Sequence, residues 1–357
     1  MALDIIATTS NLDEYGGAQK VLLDIHNGIK HQYNCKVLGF IPFEKVHPKY
    51  KIPASEYVKF GNPFYLNNKI LLVHARNLMA VIWLIKRIFF LNTRIIYIAH
   101  NVYDNHKNIS FFPYHIVSIS KKVTENLLGY FGLKNRKITL IYNGIRDEGE
   151  SQPAISFKQN SKIRILYPAR VIDIKRQLLV VDHLKGKLHP DIEILFAGHG
   201  PDLAQLQEKC YNSANFKALG FVEGVNELIK QVDFLMLFSV QEGLPIALIE
   251  GIMHGKPLLV NDIGGNLEIG IPGVNGIELS ENWDGVAGSL NSLVNLSVND
   301  YTEMSKQSRT RYEQMFTYQA MLDGYNRLID SVQPQPSAPT YHNNTDNTSK
   351  TYIQPIK

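Results

Sequence analysis

The stretch Ser239–Pro257, SVQEGLPIALIEGIMHGKP, decides the fold. It carries two glutamates, Glu242 and Glu250, eight positions apart. Gly243, Leu244 and Pro245 make a turn after the first, and an apolar helical run carries the second. Upstream, Asp233–Phe238 (DFLMLF) reads as a buried strand; another begins at Leu258, and Gly264-Gly265 follows it. One carboxylate is therefore expected on the loop at a strand's C-terminal end, and the other inside the next helix. Ligands of open α/β sheets bind at that edge. Pro245 suits a first helical turn, where its missing N–H costs nothing. The free N–H groups of that turn can receive a phosphate.

Glutamates are common on solvated helix faces, so spacing alone proves little. The neighbours of Glu250 are almost all apolar or small: Ile246, Ala247, Leu248, Ile249, Gly251, Ile252 and Met253. A carboxylate buried there without a partner is costly, which favours a ligand-binding role for Glu250. At this point a family resemblance emerges. Residues 242–268, EGLPIALIEGIMHGKPLLVNDIGGNLE, resemble the donor-site segment of the retaining GT-B glycosyltransferases of family four. That pattern is Glu-Gly-x-Pro, a second Glu eight residues after the first, Gly-x-Pro, then Gly-Gly-x-x-Glu. It is complete in Glu242, Gly243, Pro245, Glu250, Gly255, Pro257, Gly264, Gly265 and Glu268. The ordered set is specific, whereas each fragment alone is only a turn.

Outside this segment, short apolar runs alternate with helical patterns. Strands are expected at Asp4–Thr8, Lys36–Phe40, Ile70–His74, Arg94–His100, His115–Ser118 and Lys137–Ile141. A second block follows at Ile163–Ala169, Ile192–Ala197, Phe216–Leu219, Asp233–Phe238 and Leu258–Asn261. Helices are expected at Ala18–Ile29, Asn77–Leu91, Lys122–Tyr130, Gln177–His183, Asp202–Tyr211, Val225–Gln231 and Pro245–His254. Such alternation implies parallel sheets covered on both faces. The fold class is α/β, and two blocks suggest two Rossmann-like domains facing a central cleft, the GT-B architecture of the resembled family. The polar, aperiodic stretch 146–161 marks the boundary. Residues 1–150 form the first domain, 151–331 the second, and 332–357 a tail expected to be disordered because it offers little to bury. The helical pattern from Tyr301 to Ser331 would, by the resemblance, pack back toward the first domain.

Composition narrows the class. The 357 residues are 45% hydrophobic, enough for two cores. Two cysteines, Cys35 and Cys210, exclude a disulfide framework and a Cys-based zinc site and fit a reducing compartment. The start MALDIIATTS lacks the basic opening and apolar core of a signal peptide, and no apolar run is long enough to span a bilayer. A cytoplasmic protein, at most peripheral on the membrane, is expected. Net charge is +4, yet residues 1–160 carry 20 Lys and Arg against 11 Asp and Glu, a balance of +9, and the remainder 17 against 22, or −5. A basic first half suits an anionic membrane surface or a phosphate-bearing acceptor. Its cations are scattered without a recognisable motif, which argues against nucleic acid. The run Asn77–Leu91 is apolar nearly all round. It reads as a core helix rather than a membrane-dipping one, because an interfacial helix should show a broader polar face.

Several smaller constellations fall at strand ends. Arg170 and Lys175 follow the strand ending near Ala169, and two cations there can neutralise a diphosphate leaving group. In the resembled family an Arg and a Lys at this spacing do so; Ala169 and Arg176 stand where it usually has glycine. Gly16 and Gly17 follow the first strand and let backbone N–H groups approach an anion. This is not the Gly-x-Gly-x-x-Gly fingerprint of dinucleotide sites. His100 ends an apolar run, where a neutral imidazole can bond a sugar hydroxyl. Tyr142-Asn143-Gly144 resembles the family's Pro-Asn-Gly turn and receives no chemical role. The turns at Gly198 and at Phe221-Val222 resemble family loops lining the nucleotide pocket. No Asp-x-Asp pair, zinc-spaced cluster, Gly-x-Ser-x-Gly elbow or Walker loop occurs, so neither metal nor cofactor is expected.

The resemblance, from Asp4 to about Ser331, implies a retaining glycosyltransferase. Its donor would be a UDP- or GDP-linked hexose, and its acceptor a glycan or lipid-linked hydroxyl in bacterial O-antigen, capsule or exopolysaccharide assembly. It assigns the leaving phosphates to Arg170, Lys175, Gly16-Gly17 and the helix start near Gly243–Pro245. The ribose goes to Glu250, the donor sugar to Glu242 and His100, and the base role to the leaving phosphate itself. A covalent role for Glu242 ranks below this. The alternatives are a non-catalytic subunit supporting a partner transferase, and a sugar-nucleotide epimerase of the same architecture. Oligomeric state is not legible.

Overall fold

A computed structural model describes residues 4–14, 16–147, 157 and 162–332. Most of the expected boundary, 148–156 and 158–161, and all but one residue of the expected tail lie outside the described residues.

The first domain holds β1 (Asp4–Thr8), α1 (Gly17–Ile29), β2 (Asn34–Gly39), β3 (Tyr57–Lys59), β4 (Ile70–Val73), α2 (Arg76–Ile88), β5 (Arg94–Ala99), β6 (His115–Ser118), α3 (Lys121–Gly129) and β7 (Lys137–Leu140). Its strands form a parallel sheet in the order β3-β2-β1-β4-β5-β6-β7. The second holds β8 (Ile163–Pro168), α4 (Gln177–Leu184), β9 (Ile192–Ala197), α5 (Leu203–Cys210), β10 (Phe216–Gly220), α6 (Val225–Lys230), β11 (Phe234–Leu237), α7 (Ile246–Met253), β12 (Leu258–Val260), α8 (Asn266–Ile269), β13 (Gly276–Glu278) and α9 (Trp283–Ser292). Its sheet, also parallel, runs β10-β9-β8-β11-β12-β13. Central strands such as ILLV in β4 and FLML in β11 are buried along their whole length. Parallel strands covered on both faces need that continuous apolar character.

Both sheets reverse winding direction once, between β1 and β4 and between β8 and β11. These reversals are the points where open α/β sheets leave a crevice at their C-terminal edge. The last two helices, α10 (Val298–Met315) and α11 (Tyr318–Val332), are joined at Phe316-Thr317. That joint lies against the end of the first domain: Ile145 N donates to Phe316 O, and Tyr318 N to Ile145 O. Gly144 permits it, since a Cβ there would lie 2.2 Å from Thr317 O. From the joint α11 runs back onto α1, with Tyr318 Oη donating to Asp24 O and Leu322 filling the space above Gly28.

The short edge strands β3 and β13 and the helices α8 and α9 escape sequence reading. The three-residue strands β3 and β13 and the four-residue α8 carry too few positions for a periodic signal; length does not explain the ten-residue α9. A larger correction concerns the run Asn77–Leu91. It is not a core helix: within α2 only Met79 and Ile82 are buried. Val81, Trp83, Leu84 and Ile88 stand exposed, as do Phe89 and Phe90 just beyond. A pattern that is apolar nearly all round cannot show which side lacks a partner.

Candidate active site

The C-terminal edges of the two sheets face one another, and a cavity of about 300 Å³ lies between them. From the first domain come Gly17 at the start of α1, His100 after β5, and Asn143. The second domain supplies Arg170 and Lys175 after β8, Glu242 after β11, and Gly243, Leu244 and Pro245 leading into α7. Gly17, Arg170, Lys175 and Glu242 thus sit on loops beside the winding reversals, whereas His100 follows β5 and Asn143 follows the edge strand β7.

Two helix starts point at this space. The N-caps of α1 and α7 are Gly16 and Pro245, and neither makes a side-chain capping bond. Their first-turn N–H groups form the positive end of each helix dipole, the usual backbone seat for an anion. Arg170 is exposed and makes no ion pair among the described residues. Its loop is braced from behind, where Gln177 Nε2 donates to Arg170 O at 2.9 Å. Lys175 ends a short turn whose carbonyl accepts from the buried Tyr167 hydroxyl, which in turn accepts from Phe238 N at 2.9 Å. Burial pushes the Tyr167 phenol well above its ordinary pKa, so it stays a neutral strut. The Lys175 ammonium forms an ion pair with Glu242, and both side chains are largely buried. Arg176, in a position where the resembled family has glycine, adopts the left-handed conformation at φ 52° that glycine takes freely. Its guanidinium is held by Glu281 at 2.7 Å.

His100 is buried and not alone. Its Nε2 lies 2.8 Å from Nδ1 of His74, which follows β4, and the rings stack at 5.0 Å. Burial lowers the His100 pKa to about 4; burial and the neighbouring His100 hold His74 lower than ordinary imidazole as well. Both rings are neutral at pH 7. His74 is a residue that sequence reasoning missed, because nothing links it to His100 but the adjacency of β4 and β5.

Glycines explain how closely the loops meet. A Cβ on Gly243 would lie 1.7 Å from His100 O, across the cleft. Gly264 and Gly265 lie against Glu242 O and Leu244, and Gly265 N donates to Gly243 O at 2.7 Å. Glu268 spans the domains: its carboxylate accepts from the backbone of Lys121 at 2.9 Å and Lys122 at 3.1 Å, capping α3, and from Tyr142 Oη at 2.8 Å. The Gly-Gly-x-x-Glu element is thus an inter-domain clasp.

Five expected residues lie elsewhere. Gly16 is off the cavity wall, its N–H donated to Tyr50 Oη at 3.1 Å. Gly198 backs the Arg170 loop; a Cβ there would lie 1.9 Å from Ala169 O. Phe221 is exposed, with the Lys49 ammonium 4.1 Å from its ring centroid, and Val222 is half-buried beside it. Glu250 does not line the cavity and is not unpaired: Lys20 of α1 reaches it at 3.2 Å. A second cavity of about 580 Å³ adjoins Glu242 on its other side, bounded by Asp104, Lys122 and Glu125 of the first domain and Asp262 of the second.

Residues 149–311 match the family model described as Glycosyl transferases group 1. The match runs through the second domain from β8 into α10. An uncharacterised glycosyltransferase of Methanocaldococcus jannaschii is 30% identical to this chain over 181 residues, 45% of the chain and 46% of the relative. The match thus spans about half the length of that relative. The O-antigen biosynthesis glycosyltransferase WbnH of Escherichia coli is 24% identical over 340 residues, covering 88% of this chain and 96% of WbnH. Among solved structures, Anabaena HepE in complex with UDP superposes with a TM-score of 0.77 over 92% of this chain and 100% of HepE, at 16% identity. That likeness shows the fold: two parallel-sheet Rossmann-like domains, the GT-B arrangement. The group 1 segment contributes Arg170, Lys175 and Glu242–Pro245 to the cavity, while Gly17, His100 and Asn143 come from outside the matched residues.

Proposed function

We propose that this chain is a retaining, family-four glycosyltransferase that moves a hexose-type sugar from a UDP- or GDP-linked donor to a hydroxyl of a glycan or lipid-linked acceptor. The observation that carries it is the convergence in one cavity of two helix starts, Arg170, Lys175, Glu242 and His100. Four positive elements around one space suit a diphosphate better than any neutral ligand.

In the reaction the bond from the anomeric carbon to the β-phosphate oxygen breaks, and its electron pair stays on the phosphate. Charge grows on that oxygen, and Arg170, Lys175 and the two helix starts stabilise it. The acceptor oxygen bonds to the same face of the sugar, and its proton passes to the departing phosphate. An incoming diphosphate competes with Glu242 for Lys175, which frees the Glu242 carboxylate for sugar hydroxyls. His100, neutral, adds a hydrogen bond from the first domain. The cavity bounded by Asp104, Lys122 and Glu125 is the acceptor side, because it meets the donor cavity at Glu242. WbnH, named for O-antigen biosynthesis, and HepE, solved with UDP and with UDP-glucose, support a role in surface polysaccharide assembly from a nucleotide sugar.

Calorimetric titration with UDP and GDP in chelator tests the donor site. Binding of one diphosphate is expected, weakened at least about tenfold in Arg170→Ala by loss of a charge-assisted contact. Binding of neither nucleotide overturns the reading in favour of a non-catalytic subunit. For the nucleotide that binds, NMR of the product anomer then checks retention.

A further inference from the structure

The exposed side of α2 is built unlike a solvated face. Val81, Leu84 and Ile88 recur at helical spacing on one stripe and are 49%, 50% and 56% exposed. Phe90, just past the helix, is 92% exposed, and its backbone sits in the left-handed region at φ 49°, where bulky residues are rare. The stripe continues into neighbouring loops: Phe64 meets Phe89 at 5.4 Å, and Trp83 stacks on Phe111 at 5.2 Å. Beside it runs a groove of about 940 Å³ whose wall includes Trp83, Phe90 and Tyr114 together with Lys86, Arg87 and Arg94 and, among the described residues, no carboxylate. The absence extends further. From Tyr57 to Val123 the chain has nine Lys and Arg and a single acid, Asp104.

We infer that this aromatic ridge and its cations dock the protein on the headgroup layer of an anionic lipid bilayer. An apolar stripe flanked by Lys and Arg, with Trp and Tyr at its border, matches the layered chemistry of that interface. Arg87 and Arg94 reach headgroup phosphates while Leu84, Ile88 and Phe90 enter the acyl boundary. A 13-residue helix is about 20 Å long, short of the roughly 30 Å hydrocarbon core, so α2 lies on the surface rather than crossing it. Charge argues against the other occupants. A second copy seated on this face would set cations against cations. The sequence after Val332 has two lysines and one aspartate, so it brings no complementary charge. The inference does not rest on the glycosyltransferase reading.

The test is sedimentation of the full-length protein with vesicles of phosphatidylcholine alone and of phosphatidylcholine with phosphatidylglycerol. Binding to the anionic vesicles only, weakened by salt, is expected. The double variant Leu84→Ser, Phe90→Ser and the single variant Arg87→Glu should each lower partitioning about tenfold or more. Their melting temperatures should match wild type, since the altered side chains face solvent. Tyr211→Ser, an exposed aromatic on the second domain, should bind like wild type. The inference is overturned if wild type stays in the supernatant, if neutral vesicles bind as well, or if the ridge variants bind unchanged. It is also overturned if the wild type sediments as a dimer that Leu84→Ser, Phe90→Ser makes monomeric, because the ridge then serves a second copy.

Discussion

Lys175 and Glu242 lie 67 positions apart in sequence and share one ion pair. Removing the ammonium leaves a buried carboxylate uncompensated and takes one cation from the leaving phosphate. Lys175→Ala is therefore expected to lower kcat about a hundredfold or more, on the scale of losing one transition-state stabiliser. Turnover within threefold of wild type in a steady-state assay would refute that role. The His74–His100 pair allows a sharper statement. His74 Nε2 is buried and has no hydrogen-bond partner. If His100 donated, His74 would carry an orphaned buried N–H; if His74 donates from Nδ1, only an acceptor is left bare, which proteins tolerate better. His100 Nε2 thus accepts, and His100 holds its own proton on Nδ1. Nitrogen NMR should find both rings in the Nδ1–H form, with shifts flat from pH 8 to about 5.5. The His100 pKa is depressed to about 4, against about 6.5 when unfolded. Its contribution to stability is then full above about 6.5 and is lost as pH falls toward about 4. His100→Gln should flatten that part of the unfolding free energy measured against pH; an unchanged slope removes the assignment.

Among the elements, the loop between β11 and α7 is the most constrained. It must clear His100 O, accept Gly265 N and turn into a helix within a few residues, so Gly243 tolerates no side chain. Gly243→Ala requires a backbone shift across the cleft. It should cost about 1–3 kcal/mol in chemical denaturation, the usual range for overpacking, and reduce turnover more than Lys175→Ala does. A variant with wild-type stability would show that the two loops do not meet in solution. α7 itself behaves as its apolar sequence implies, with Leu248, Ile249, Ile252 and Met253 buried. α2 does not, although its run from Leu78 to Ile85 is wholly apolar, because burial depends on what is built opposite. Among the described residues no later segment covers its outer side.

At the level of the whole molecule, the two domains are held closed by contacts from separate parts of the chain: Gly243 on His100, Glu268 on the start of α3, and Lys20 on Glu250. The last of these leaves Glu250 with two readings, a ribose ligand or a domain tie, and a pair of variants separates them. If Glu250 binds the ribose, Glu250→Ala should weaken nucleotide binding about tenfold, the loss of a hydrogen bond to a charged group. Lys20→Ala should stay within threefold. Equal losses in both would assign Glu250 to domain closure. The two-domain α/β fold, most strand positions, and the grouping of Arg170, Lys175, Glu242 and Gly243–Pro245 were legible in the chain. Strand runs and the loops that follow them are local, and a parallel sheet places every such loop on one edge. Three things were not legible: the pairing of His74 with His100, the clasp made by Glu268, and the bare side of α2. Each depends on which surfaces the finished domains bring together or leave uncovered, and no local pattern of residues encodes that.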